Sequence, residues 1–100
     1  MNIGKAIKEL RKKKGISQID FAKSCDITQT SLSLIETGTK RPSPATLKKI
    51  CLVLEIPEMY LYLLSADESD VPANKKHLFK ILFPNIETMV KQLWVEGGIN

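Results

Sequence analysis

Histidine and cysteine are scarce in this 100-residue sequence, which has one of the first, His77, and two of the second, Cys25 and Cys51. No Ser, His and acid constellation can be assembled around a single histidine. No Gly-rich phosphate loop and no cluster of metal-ligating residues appears either, so the sequence argues against an enzyme and calls for no metal or cofactor. The two cysteines form no CxxC pair. Cys51 shares a helical face with Leu47 and Leu54 and reads as a packing residue, while Cys25 lies beside a turn; both suit a reducing compartment. No uncut apolar stretch approaches membrane-spanning length, and MNIGKAIKELRKKKG lacks the apolar region of a signal peptide. The expectation is a cytoplasmic protein with no membrane partner.

What the chain does contain is ordinary in amount and uneven in placement. It is 43% apolar and 26% charged, the composition of one small globular domain with a modest core. The net charge of +4 conceals an asymmetry: through Lys49 there are eleven Lys and Arg against four Asp and Glu, and from Ile50 onward four against seven. A basic first half favours a polyanion as partner, although a solvated surface carries such a charge as well.

Apolar spacing and punctuation predict an all-α chain. A first helix runs from Ile3 to about Lys14, capped by Asn2, stopped by Gly15, with Ile3, Ile7 and Leu10 on one face. A second starts at a Ser17 cap and buries Phe21, Ala22 and Cys25; a third starts at Thr28 and stops at Gly38. In TGTKRPSP, Pro42 forbids helix at Arg41, and Ser43 with Pro44 forms a cap with proline at the first helical position. The fourth helix turns Leu47, Ile50, Cys51 and Leu54 inward, and Pro57 restarts a short fifth through Tyr60 and Leu64. Three segments follow from this reading: 1–65 as the helical domain, 66–74 as a polar, acidic linker, and 75–96 as a C-terminal helical segment. Pro84 should break or kink that last segment, with a restart near Asn85.

The stretch SQIDFAKSCDITQTSLSLIE writes one helix-start pattern twice. An apolar residue precedes a hydroxyl cap and another follows four positions after it: Ile16, Ser17, Phe21, then Ile27, Thr28, Leu32. Two short helices joined this tightly make a helix-turn-helix. On a wheel, Leu32 and Ile35 of the second copy point inward, while Gln29, Thr30, Ser33, Leu34 and Thr37 spread over the opposite side. A plain solvent face would carry Lys and Glu. Short or planar polar groups instead suit a DNA groove, where an amide bonds adenine edges, hydroxyls bond bases or phosphates, and an apolar tip meets a thymine methyl.

The run IKELRKKKGISQIDFA, then DITQTSLSLIETG, KRPSPATLKKI and LEIPEMYLYLL, resembles the phage-repressor and Cro family of DNA-binding domains, the XRE family, over about two-thirds of the chain. The resemblance implies a five-helix lambda-repressor-like helix-turn-helix domain, here followed by a C-terminal amphipathic helical segment. It implies that the third helix lies in the major groove of double-stranded DNA, with Gln29, Thr30, Ser33 and Leu34 reading bases. Ser17, Gln18, Thr37, Lys40 and Arg41 become candidates for the DNA backbone. Arg11 and Glu36 match a family salt bridge that serves the scaffold. Two positions depart from the pattern. Asp26 stands where the turn usually has Gly, at a small expected cost in stability. Leu34 replaces a polar or basic residue, and either meets thymine methyls or packs against a partner protein.

One such domain reads a half-site, so a palindromic operator calls for a homodimer. The C-terminal segment is the candidate dimerisation element, with Phe79, Leu82, Phe83, Ile86, Val90 and Trp94 as the buried contacts; the alternative is that it folds back on its own domain. The function expected is a transcriptional regulator, with repression the family's commonest mode. The rival is an antitoxin-like or accessory protein whose C-terminal helix grips another protein. A basic amphipathic membrane binder does not fit, because the basic residues and the strongest apolar stripe lie in different segments.

Overall fold

A hydroxyl or amide side chain sits at the start of each of the first four helices and accepts a hydrogen bond from the backbone three residues on. The computed structural model describes residues 1–94. In it Asn2 accepts from the Lys5 amide at 3.0 Å, Ser17 from Asp20 at 3.1 Å, Thr28 from Ser31 at 3.0 Å and Ser43 from Thr46 at 3.2 Å. Each satisfies an amide that the helix itself leaves without a partner. The helices so started are α1 (Ile3–Lys13), α2 (Gln18–Ser24), α3 (Gln29–Glu36) and α4 (Pro44–Leu54). Two more follow, α5 (Glu58–Ser65) and α6 (Lys76–Trp94), and no strand occurs among the described residues. The expected all-α architecture is the observed one.

Left-handed residues separate the helices. Gly15 and Gly38 adopt φ of 71° and 83°, and Asp26 takes φ of 59° in the turn between α2 and α3. Asp26 therefore does fill a glycine's conformation, and its carboxylate is met at 3.0 Å by Lys49. Glu55, unannounced by any turn signal, adopts φ of 59° at the end of α4.

The core collects the inward stripes of α1 to α5. Ile7, Phe21, Cys25, Leu32, Ile35, Ile50, Leu54 and Leu61 are fully buried and meet in one cluster. Phe21 is its largest member, and its burial contributes about 1.5–3 kcal/mol. α1 packs on α3 and α5, α2 on α3, and α4 on α5. The result holds α3 across the domain with one side inward and one outward.

The expected linker differs from a loose connection. Glu68–Asp70 and Ala73–Lys75 form 3₁₀ turns, the first closed by Asp67 and Asp70, each accepting from the other end of the turn. Glu68 receives Lys76 Nζ on its carbonyl at 2.7 Å and Lys80 Nζ on its carboxylate at 3.0 Å. Hydrogen bonds from Ser69, then the nearby amino group of Met1, hold the Asp67 carboxyl down at about 2.

Pro84 does not break the last segment. α6 runs through it unbroken, although proline lacks the N–H that the Lys80 carbonyl would accept and crowds the preceding turn, at about 3 kcal/mol or more. Contacts on both sides of the proline hold the helix together. Phe79 and Phe83 stack at 4.7 Å one turn before it. Beyond it Val90 is buried and Trp94 stacks on Tyr60 of α5 at 3.7 Å, against the domain core. Residues 95 and 96 of the expected C-terminal segment lie outside the described residues.

Of the expected dimer contacts, Val90 is buried and Trp94 is partly buried against its own domain core. Phe79 and Phe83 are half-buried, and Leu82 and Ile86 stay exposed. The helix both folds back and keeps an outer apolar face.

Candidate nucleic-acid interface

Glu36, at the end of α3, is the buried anchor of the candidate surface. Its Oε2 accepts from Arg11 Nε at 2.7 Å and its Oε1 from Arg11 Nη2 at 3.1 Å, a two-bond fork between α1 and α3. Arg11 also donates from Nη1 to the Ile16 carbonyl at 2.9 Å, tying down the approach to α2. The Glu36 side chain is only 2% exposed, so the carboxylate needs its partner. The scaffold pairing implied by the family resemblance is present.

From that anchor a chain of hydrogen bonds runs outward. Gln18 Nε2 donates to Glu36 Oε1 at 3.1 Å, and Gln18 Oε1 accepts from Gln29 Nε2 at 3.3 Å. The first residue of α2 and the first of α3 are so linked through one amide. With Nε2 of Gln29 spending one hydrogen on Gln18, the second hydrogen and Oε1 remain for a ligand.

Gln18, Gln29, Thr30, Ser33 and Leu34 line one open concavity on the surface. Four of these are the residues expected to read bases, and Gln18 is a backbone candidate; the fold brings them together. Gln29, Thr30 and Leu34 are exposed and Ser33 half-buried, with Leu32 and Ile35 buried behind them. Leu34 is 39% exposed, a large apolar group that lines the concavity among polar ones.

The remaining backbone candidates divide. The Ser17 hydroxyl accepts the Asp20 amide, which leaves its own proton to donate. Lys40 folds back to give its Nζ to Ser31 Oγ at 3.1 Å, so its charge rests beside α3. Arg41 is exposed next to Pro42, and both residues border a depression with the first residues of α1 and Gly38. The Thr37 hydroxyl donates to the Leu34 carbonyl at 3.1 Å and meets Thr39 Oγ1 at 3.0 Å, so a phosphate oxygen would compete with that carbonyl for its proton.

One residue that places this surface escaped sequence reasoning. Gly4 lies where α1 crosses α3, and a Cβ built on it would stand 2.1 Å from the Ile35 carbonyl oxygen. A glycine inside an otherwise apolar-periodic helix, GKAIKEL, is the signal that could have found it. Both thiols lie away from the concavity; burial pushes Cys25 and Cys51 up to about 11 and keeps them as thiols.

The helix-turn-helix family model HTH_3 matches residues 7–61, from within α1 to within α5. The chain belongs to the helix-turn-helix family. Within that family the chain is similar to phage Cro- and XRE-like proteins. The ImmF control region 10 kDa protein of Bacillus phage phi105 is 37% identical over 54 residues, 54% of this chain. The match spans 60% of that phage protein's length. The crystal structure of the clp gene regulator ClgR from Corynebacterium glutamicum shares the fold with a TM-score of 0.65 at 22% identity. That superposition takes in 86% of this chain and 92% of the other, so the likeness reaches beyond α5.

Proposed function

We propose that this helix-turn-helix protein is a sequence-specific regulator that binds a palindromic operator as a homodimer and represses by occluding a promoter. α3 enters the major groove. Gln29, Thr30, Ser33 and Leu34 read bases, while Ser17, Gln18, Lys40 and Arg41 hold the phosphates. One observation carries this reading: the outward side of α3 bears no charged residue, and its leading glutamine is held in place through Gln18 by a buried ion pair. A face built for solubility alone would not need its amides oriented.

Major-groove edges are distinguished by donor, acceptor and methyl patterns, which an amide, hydroxyls and an isobutyl group match. The two basic side chains after α3 suit phosphates, which give register and salt dependence without reading sequence. The phage relative is named for a control region, which agrees with a regulatory role. Selection of bound duplexes from a random library tests the proposal. Recovery of an inverted repeat with half-sites one helical turn apart, roughly 34 Å, is the expected result. Recovery of no sequence, with equal affinity for all duplexes, would remove the specific-regulator reading.

A further inference from the structure

We propose that the outer face of α6 is the surface on which a second copy of this chain docks, and that the dimer is made there and not through the stripe containing Val90 and Trp94. At about 100° per residue, Leu78, Leu82, Ile86, Met89 and Leu93 fall within an arc of about 80°, with Ile81 about 60° to one side. All six are 40% to 67% exposed. The covered stripe lies next to them, where Val90 is 5% exposed and Trp94 rests on Tyr60. The domain covers one side of the helix's apolar surface and leaves the other open.

Charge decides the occupant. From residue 77 to residue 94 the charged side chains are Lys80, Glu87 and Lys91, and these fall within about 40° of one another on the side away from the open face. Asn85, Thr88 and Gln92, all uncharged, border the open face. An acidic or basic partner finds no counter-charge there, and burying its charges unpaired would be costly. The fitting surface must itself be aliphatic and uncharged. A second α6 has that composition, and a two-fold axis sets the same face against itself.

Two further observations favour self-pairing. The face sits on a helix tied to Glu68 by Lys76 and Lys80 before Pro84 and to Tyr60 by Trp94 after it, so pairing need not first order it. Two copies would bring twelve large aliphatic side chains to one centre, the apolar make-up of homodimer interfaces. The need for two half-site readers adds to this and rests on the proposed function.

Sedimentation of the full chain over a concentration series tests the face. Wild type should be dimeric at micromolar concentration. Leu82→Glu and Met89→Glu should each weaken the dimer about 100-fold or more, as a charge at the centre of an interface does. Their helical circular dichroism and the fluorescence of Trp94 against Tyr60 should stay unchanged, separating lost pairing from lost folding. Met59→Glu, at an exposed apolar position on α5, should leave the dimer intact. Wild type that stays monomeric at about 100 µM overturns the proposal, as does a dimer that tolerates both α6 variants or dissolves only with Met59→Glu. A dimer lost with the α6 variants, in a chain that selects no DNA sequence, supports the docking face and removes only the operator reading.

Discussion

Gly4 and Ile35 meet at the crossing of α1 and α3, where a Cβ on the glycine would stand 2.1 Å from the isoleucine carbonyl oxygen. Backbone cannot yield as a flexible side chain can, so Gly4→Ala must push the two helices apart. Alanine gains about 1 kcal/mol in helix propensity, but overpacking costs about 1–3 kcal/mol and displaces the reading helix. Urea unfolding should show net destabilisation, and selection of DNA should lose discrimination by more than the stability change explains. A variant as stable and as selective as wild type would contradict the close approach.

The Arg11 and Glu36 fork predicts an asymmetry between single and double substitution. Arg11→Met leaves a buried carboxylate without its partner and should cost about 3–5 kcal/mol. Adding Glu36→Leu removes the stranded charge and should recover a large part of that loss. A double-mutant cycle in urea checks this; additive losses would mean that the two groups do not act as a pair.

Gln29 and Arg41 should fail in different ways. Gln29→Ala should lower discrimination at one base position by about 1–3 kcal/mol and leave other positions alone. Arg41→Ala should weaken binding on every duplex alike and reduce the salt slope by about 1. Gel retardation at several salt concentrations, on the selected operator and on single-base variants, separates the two patterns.

Leu34 has no hydrogen-bonding group, so any base it reads must be read by its methyl. Replacing thymine with uracil at the facing position should weaken wild type several-fold, while Leu34→Ala should bind the two duplexes equally. Binding indifferent to the methyl would return Leu34 to the alternative, a contact with a partner protein.

The buried thiols set an alkaline limit on stability. Below about pH 9 folded and unfolded chains both hold the cysteine protons. Between about 9 and 11 the unfolded chain releases protons that the folded chain keeps, because burial raises Cys25 and Cys51 to about 11. Stability therefore falls with rising pH through that window. Unfolding free energies measured at about pH 8 and about pH 10.5 should drop less for Cys51→Ala than for wild type.

The helix starts were readable because capping is local: Asn2, Ser17, Thr28 and Ser43 each answer an amide three residues away. The division of α3 was readable for a similar reason, since one period separates Leu32 and Ile35 from Gln29, Thr30 and Leu34. What escaped depended on partners distant in sequence or on competition between groups. Gly4 is explained by a carbonyl thirty-one positions on, and the Thr37 hydroxyl is engaged by the Leu34 carbonyl one turn back. No break occurs at Pro84 because propensity speaks only of one helix, whereas Lys76 and Lys80 on Glu68 and Trp94 on Tyr60 hold its two halves to the rest of the chain. The apolar girth of α6 was plain in the sequence; which part would be covered at home was not.

The amide chain from Glu36 through Gln18 to Gln29 also bears on how fast and how faithfully a groove can be read. A free glutamine side chain loses about 1.5–2 kcal/mol of rotamer entropy when it is immobilised. Here folding has already ordered both glutamines, so little of that loss remains for the encounter with DNA. The polarity of the amide is set in advance as well. Gln29 meets a base with its donor and acceptor in a chosen order, and a base pair that presents them reversed must break the bond to Gln18 before it can bind.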